Sequence, residues 1–172
     1  MVANGIGSLN FTALTFQGFD FNGPLVNAGA GAVVLGPTGS YADYFGTISG
    51  PTSFGSGGNI FASSGTSTAP GSSGAGVNGS TGLLLVPGGY FAGDPFTVSS
   101  TWNNTTISGL GLTSGTYTWT WGSGANADSL QVVIPGGITA VPEPSTLISA
   151  GMAVLLGLGY KLGRRRKVKI VA

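Results

Sequence analysis

No stretch before Leu147 carries a 3.6-residue apolar repeat between helix caps, whereas several stretches alternate with period two. Tyr117, Trp119 and Trp121 alternate with Thr116, Thr118 and Thr120. Residues 122–128 then turn the chain, and Leu130, Val132 and Ile134 alternate back. This pattern predicts a hairpin with one strongly apolar face per strand. Phe96, Val98, Ser100 and Trp102 share one face of an earlier strand, with Thr97, Ser99 and Thr101 on the other. Leu83, Leu84, Leu85 and Val86, ended by Pro87-Gly88, suit a strand covered on both faces. Residues 30–35 and 41–48 are further strands, separated by Gly36-Pro37-Thr38-Gly39. Leu9, Phe11 and Ala13 alternate before the phase slips to Leu14 and Phe16, which predicts a strand with a bulge near Ala13. Residues 19–24 contain Asn22-Gly23-Pro24 and read as a turn; residues 55–82, dominated by Gly, Ser, Thr and Ala, read as a long loop region. Short strands with Gly-rich turns predict an all-β fold, an antiparallel β-sandwich or jelly-roll-like body over residues 1–140.

Glycine is abundant (33 residues), yet 41% of the chain is hydrophobic, which separates this composition from disordered linkers. The formal net charge of +1 is unevenly placed. Residues 1–140 hold Asp20, Asp43, Asp94 and Asp128 and neither Lys nor Arg, so they carry −4. A body with no cationic side chain repels phosphate backbones, which excludes nucleic acid as a partner. Cysteine and histidine are absent, so neither a disulfide nor a thiolate or imidazole is available.

The end of the chain is different in kind. Pro142, Glu143 and Pro144 form a stiff extended spacer. Ser145 or Thr146 caps a predicted helix over residues 147–162, apolar except for Ser149, Tyr160 and Lys161. Its 16 residues span roughly 24 Å against a hydrocarbon core of about 30 Å; starting at Ser145 and letting Lys161 snorkel extends it towards a full crossing. Arg164, Arg165, Arg166, Lys167 and Lys169 follow. A buried core helix would carry a polar stripe, and these three polar residues do not make one. The prediction is a single C-terminal transmembrane helix with its basic cluster in the cytoplasm and the body outside.

In order and spacing, the Pro-Glu-Pro triplet, the hydrophobic segment and the arginines resemble the C-terminal sorting signal of PEP-CTERM proteins, the substrates of bacterial exosortases. The resemblance covers residues 141–169. It implies export from a Gram-negative cell, a pause in the inner membrane, processing near Pro142-Glu143-Pro144, and release or attachment at the cell surface, in association with exopolysaccharide and biofilm. The segment from Gly115 to Leu130 also resembles the end of small β-rich ectodomains of that group, which implies no activity. Met1 to Gly7 have neither a basic nor an apolar leader region, while the positive-inside orientation requires a leader. The expectation is a leader upstream, with room for a further strand.

Sites of chemistry are scarce. Gly74-Ala75-Gly76-Val77-Asn78-Gly79 fits the dinucleotide-binding pattern, and residues 122–127 fit its variant, but neither opens a helix and both are chance matches. Asp20-Phe21-Asn22-Gly23 begins like a calcium loop, with its glycine too early and no Glu at the required distance. The four Asp lie in turn-like contexts, where a capping role is expected; a hydrolase would need two of them to converge in one cleft. The sequence thus predicts no enzyme, no cofactor and no metal. Two binding surfaces are open: the aromatic face of Tyr117, Trp119 and Trp121, read as core or as an exposed platform for sugar rings or ordered water, and the ladder of Thr116, Thr118 and Thr120, with Thr97, Ser99 and Thr101 on an earlier strand, read as a solvated face or as a ligand face for polysaccharide or ice. Exposure of Trp119 and Trp121 decides the first.

Overall fold

Residues 1–136 are described by the structure, a computed structural model. They form thirteen strands, all paired antiparallel, and no α-helix. In chain order these are β1 (Val2–Gly7), β2 (Thr15–Asn22), β3 (Leu25–Asn27), β4 (Ala32–Leu35), β5 (Gly39–Phe45), β6 (Ile48–Ser49), β7 (Asn59–Phe61), β8 (Ser64–Ser67), β9 (Ala75–Asn78), β10 (Leu83–Pro87), β11 (Phe96–Thr101), β12 (Gly115–Trp121) and β13 (Asp128–Ile134).

Seven strands make the large sheet, in the order β2-β5-β10-β9-β4-β3-β7; β1-β11-β8 and β13-β12-β6 make two small sheets. Opposed residues in a pair point to one face. Register therefore puts Ala42, Leu84, Val86, Ala75 and Val77 on one face of the large sheet. That face meets Phe96 and Val98 of β11 and Trp121 of β12 in one apolar cluster. In a second cluster, Val26 and Val77 meet Trp102, Trp119, Leu110 and Ile134. Both small sheets thus cover the same face of the large one. The alternation in their sequences is the consequence: Trp119 and Trp121 are buried inward, and Thr116, Thr118 and Thr120 are exposed outward.

Three buried indoles dominate this core, and each finds an acceptor for its N–H, as burial requires. Trp102 Nε1 donates to Ile60 O (3.1 Å), Trp119 Nε1 to Pro51 O (2.9 Å) and Trp121 Nε1 to Asn10 O (2.7 Å). Fully buried Ser100 accepts the Gly36 N–H on its Oγ at 2.9 Å, tying β11 to the turn after β4.

Several expectations need correction. Leu9 to Leu14 are a loop rather than a strand, because Leu9 packs inward and its N–H donates to Tyr90 Oη at 2.8 Å. The bulge lies on β2, between Phe16 and Gly18, not at Ala13. Asp20, Phe21 and Asn22 continue β2, so the turn is confined to Gly23-Pro24. The region 55–82 is no single loop, since it supplies β7, β8 and the central strand β9. Its glycines mark backbone contact. A Cβ on Gly74 would lie 1.6 Å from Leu35 O, and one on Gly76 would lie 2.2 Å from Val33 O. The Gly74–Gly79 dinucleotide match is therefore largely a strand in the middle of a sheet.

Met1–Gly137 form one compact unit. The expected helix over 147–162, the Pro-Glu-Pro triplet and the basic cluster lie outside the described residues. Among the described residues no helix is long and apolar enough to cross a membrane.

Candidate functional site

The outward ladder of β12 is built by register. Thr116 lies opposite Val133, Thr118 opposite Gln131, and Thr120 opposite Ser129 of β13 and Ser49 of β6. Thr118 Oγ1 accepts from Gln131 Nε2 at 3.3 Å, and Thr120 Oγ1 donates to Ser49 O at 3.5 Å. The result is a neutral face of hydroxyl and amide groups with the exposed Val133 at one end, unable to ionise in the physiological range.

Thr97, Ser99 and Thr101 belong to the other small sheet, so the ladder expected from sequence is split between two sheets. Ser99 lies between Thr66 and Asn4, and Thr101 between Ser64 and Val2. Thr97 N–H donates to Thr68 Oγ1 at 2.9 Å. Asn4, Ile6, Thr66, Thr68, Thr97 and Ser99 line a shallow cleft of ≈ 430 Å³. The polar residues from β8 were missed because their Ser-Thr alternation sits inside a Gly-Ser stretch that reads as loop.

A second cleft, of ≈ 560 Å³, runs between the free edges of β1 and β13; Val33, Leu35, Ala75, Phe96 and Val98 are among the residues below them. Neither cleft is lined by an Asp.

Two of the four carboxylates accept backbone N–H groups, one of them across a long sequence separation. Asp128 accepts the N–H of Asn10 on Oδ2 (2.6 Å) and of Ser129 on Oδ1 (2.8 Å), and Asp20 accepts the N–H of Phe21 on Oδ1 (2.7 Å). Asp20 and Asp43 come together on one face of β2 and β5, where Asp43 lies opposite Gly18 and Asp20 opposite Tyr41. Asp43 Oδ1 is buried without a hydrogen-bond partner. Desolvation, and secondarily the charge of Asp20, push the Asp43 carboxyl above its ordinary pKa. Two carboxylates on a sheet face, without a third ligand, make no metal cage; the described residues hold no group of three metal-ligating side chains.

Trp119 and Trp121 are 0% and 3% exposed, so the aromatic face of β12 is core and no platform for a ligand. Pro142, Glu143, Pro144, Arg164, Arg165, Arg166 and Lys167 lie outside the described residues, and their identification rests on sequence.

No curated protein and no solved structure matches this chain. One family model does, over residues 140–167, and its description is the PEP-CTERM protein-sorting motif. That span takes in the Pro-Glu-Pro triplet, the apolar run and the basic residues up to Lys167. The chain therefore carries a PEP-CTERM protein-sorting motif over residues 140–167, following an all-β antiparallel body.

Proposed function

We propose that this is a non-enzymatic protein of the bacterial surface or extracellular matrix. Its body, residues 1–140, works outside the cytoplasm, and residues 141–169 deliver it. The observation that carries this reading is the match of residues 140–167 to the sorting motif. In this scheme residues 147–162 hold the chain in the inner membrane in transit, and Arg164, Arg165, Arg166 and Lys167 keep the tail end in the cytoplasm. An exosortase-type enzyme processes the chain near Pro142, Glu143 and Pro144, and the mature form is displayed or released in an exopolysaccharide or biofilm setting. The test is mass spectrometry of the mature C-terminus from the native host. The expected result is a chain lacking residues 147–172 in wild type and an intact tail when Pro142, Glu143 and Pro144 are all replaced by Ala. An intact tail on the mature wild-type protein would overturn the scheme.

A second reading is supported by the outward hydroxyl faces. A neutral array of Thr116, Thr118, Thr120, Ser129 and Gln131 suits neutral polysaccharide, whose hydroxyls need donors and acceptors at short spacing. Ice is the less favoured ligand for the same face. Replacing Thr116, Thr118 and Thr120 by Val would abolish retention on the host's own extracellular polysaccharide if this face binds it; unchanged retention would eliminate the face.

A further inference from the structure

β2 is the longest strand with an unpaired edge in the described residues, eight residues bonded on one side only, to β5. Native edge strands are normally shortened, covered, or guarded by Lys or Pro, because their free N–H and C=O groups template pairing. β2 carries neither Lys nor Pro; its only guards are the bulge between Phe16 and Gly18 and the charge of Asp20. It also carries three phenylalanines on a single face. Register sets Phe16 opposite Tyr44, Phe19 opposite Ala42 and Phe21 opposite Ser40, so all three point to the side on which the small sheets lie. The small sheets do not reach them: they are 48%, 67% and 72% exposed. Phe16 and Phe19 already stack edge to face, with ring centroids 5.2 Å apart.

We propose that β2 pairs antiparallel with β2 of a second copy of this chain, joining two seven-stranded sheets across a two-fold axis. Area supports a self-pair. At about 200 Å² per ring, the exposed fractions leave roughly 370 Å² of phenylalanine surface on each copy. Two copies then bury at most roughly 750 Å² from these rings, and with the facing backbones the total approaches, as an upper bound, the ~1,200 Å² at which specific interfaces begin.

Charge selects the register. Placing Phe19 against Phe21 of the second copy would set the two Asp20 carboxylates face to face, which is unfavourable for like charges directly opposed. Centring the pair on Phe19 places each Asp20 opposite the second copy's Gly18, which presents neither charge nor side chain. The bulge between Phe16 and Gly18 then ends the regular pairing on each side. A second copy is favoured over another protein's strand because the sorting motif sends every copy to one surface, where effective concentration is high. Only this choice of a second copy rests on the delivery scheme, and the cross-linking outcome is independent of it.

The chain has no cysteine, so single substitutions report cleanly. The full chain in detergent micelles is oxidised as Phe19→Cys, as Asp20→Cys and as Val133→Cys, the last being an exposed position on β13. Opposed residues in an antiparallel pair have Cα atoms about 4.5–5.5 Å apart, inside disulfide range. Phe19→Cys is expected to form a covalent dimer about tenfold faster than either other variant. Sedimentation of cysteine-free Phe19→Lys should show association weakened about tenfold or more, with its near-ultraviolet circular dichroism unchanged. Equal cross-linking at all three positions, faster cross-linking at Asp20→Cys, or unweakened association of Phe19→Lys would each overturn the proposal.

Discussion

At the residue scale, Asp43 is the least comfortable side chain among the described residues. Its Oδ1 is buried without a partner, and its raised carboxyl pKa has desolvation as the leading cause, with Asp20 second. A carboxyl whose pKa is higher folded than unfolded binds more protons in the folded state between those two values. Stability therefore falls as pH rises through that window and stays lowered at neutral pH. Asp43→Asn removes the titration and is expected to raise Tm at pH 7 while flattening the acid-side slope. Thermal melts from pH 3 to 7 check it, and an Asn variant that melts lower at pH 7 would count against the assignment. Glycine supplies a second test. Gly74→Ala drives a methyl into the backbone carbonyl of Leu35 and is expected to cost about 3 kcal/mol. Gly58→Ala, where nothing lies within 4 Å, should stay within about 0.5 kcal/mol of wild type. Denaturant midpoints compare the two.

At the element scale, the β12–β13 hairpin separates structural from candidate binding residues by parity. Trp119 is fully buried, donates to Pro51 O, and sits edge-on to Phe54 with centroids 6.2 Å apart. Gly50 and Gly79 leave space for its indole, since a Cβ on either would lie 2.5 Å or 2.6 Å from the ring. Trp119→Ala is expected to cost about 3–5 kcal/mol. Thr118→Ala, one residue away on the solvent face, should cost less than about 0.5 kcal/mol. Urea titrations measure both, and equal losses would contradict the two-faced hairpin. This element was legible beforehand because both of its strands alternate without a slip. β9 was not legible: Ala75-Gly76-Val77-Asn78 has almost no apolar contrast, and its strand character comes from neighbours on both sides, Leu83 to Leu85 and Ala32 to Leu35. β2 was half legible, because the bulge after Phe16 returns its phenylalanines to one face only once β5 supplies the register.

At the scale of the whole molecule, charge is segregated along the chain: the six basic residues lie in 161–169, and four Asp lie in the body. If the basic cluster sets orientation, replacing Arg164, Arg165, Arg166 and Lys167 by Gln is expected to reduce body export several-fold, consistent with the weight of Lys and Arg in topology. Protease protection in spheroplasts measures this, and full export of the neutral variant would remove the assigned role. The body's stability should be untouched, since none of the four lies in the unit Met1–Gly137.

By itself the sequence determined the address, since Pro142-Glu143-Pro144, the apolar run and the arginines form a contiguous signal whose meaning needs no partner elsewhere in the chain. It also determined the β class of the body and the inward turn of Trp119 and Trp121, because period-two alternation is a local property of a strand. Tertiary structure decided the rest: that the glycine-rich region is central sheet, that the hydroxyl ladder is split between two sheets, and that Phe16, Phe19 and Phe21 share an edge left unpaired among the described residues. Those facts depend on which strands lie side by side and in what register, and hydrogen bonds between distant segments leave no periodic trace in either one.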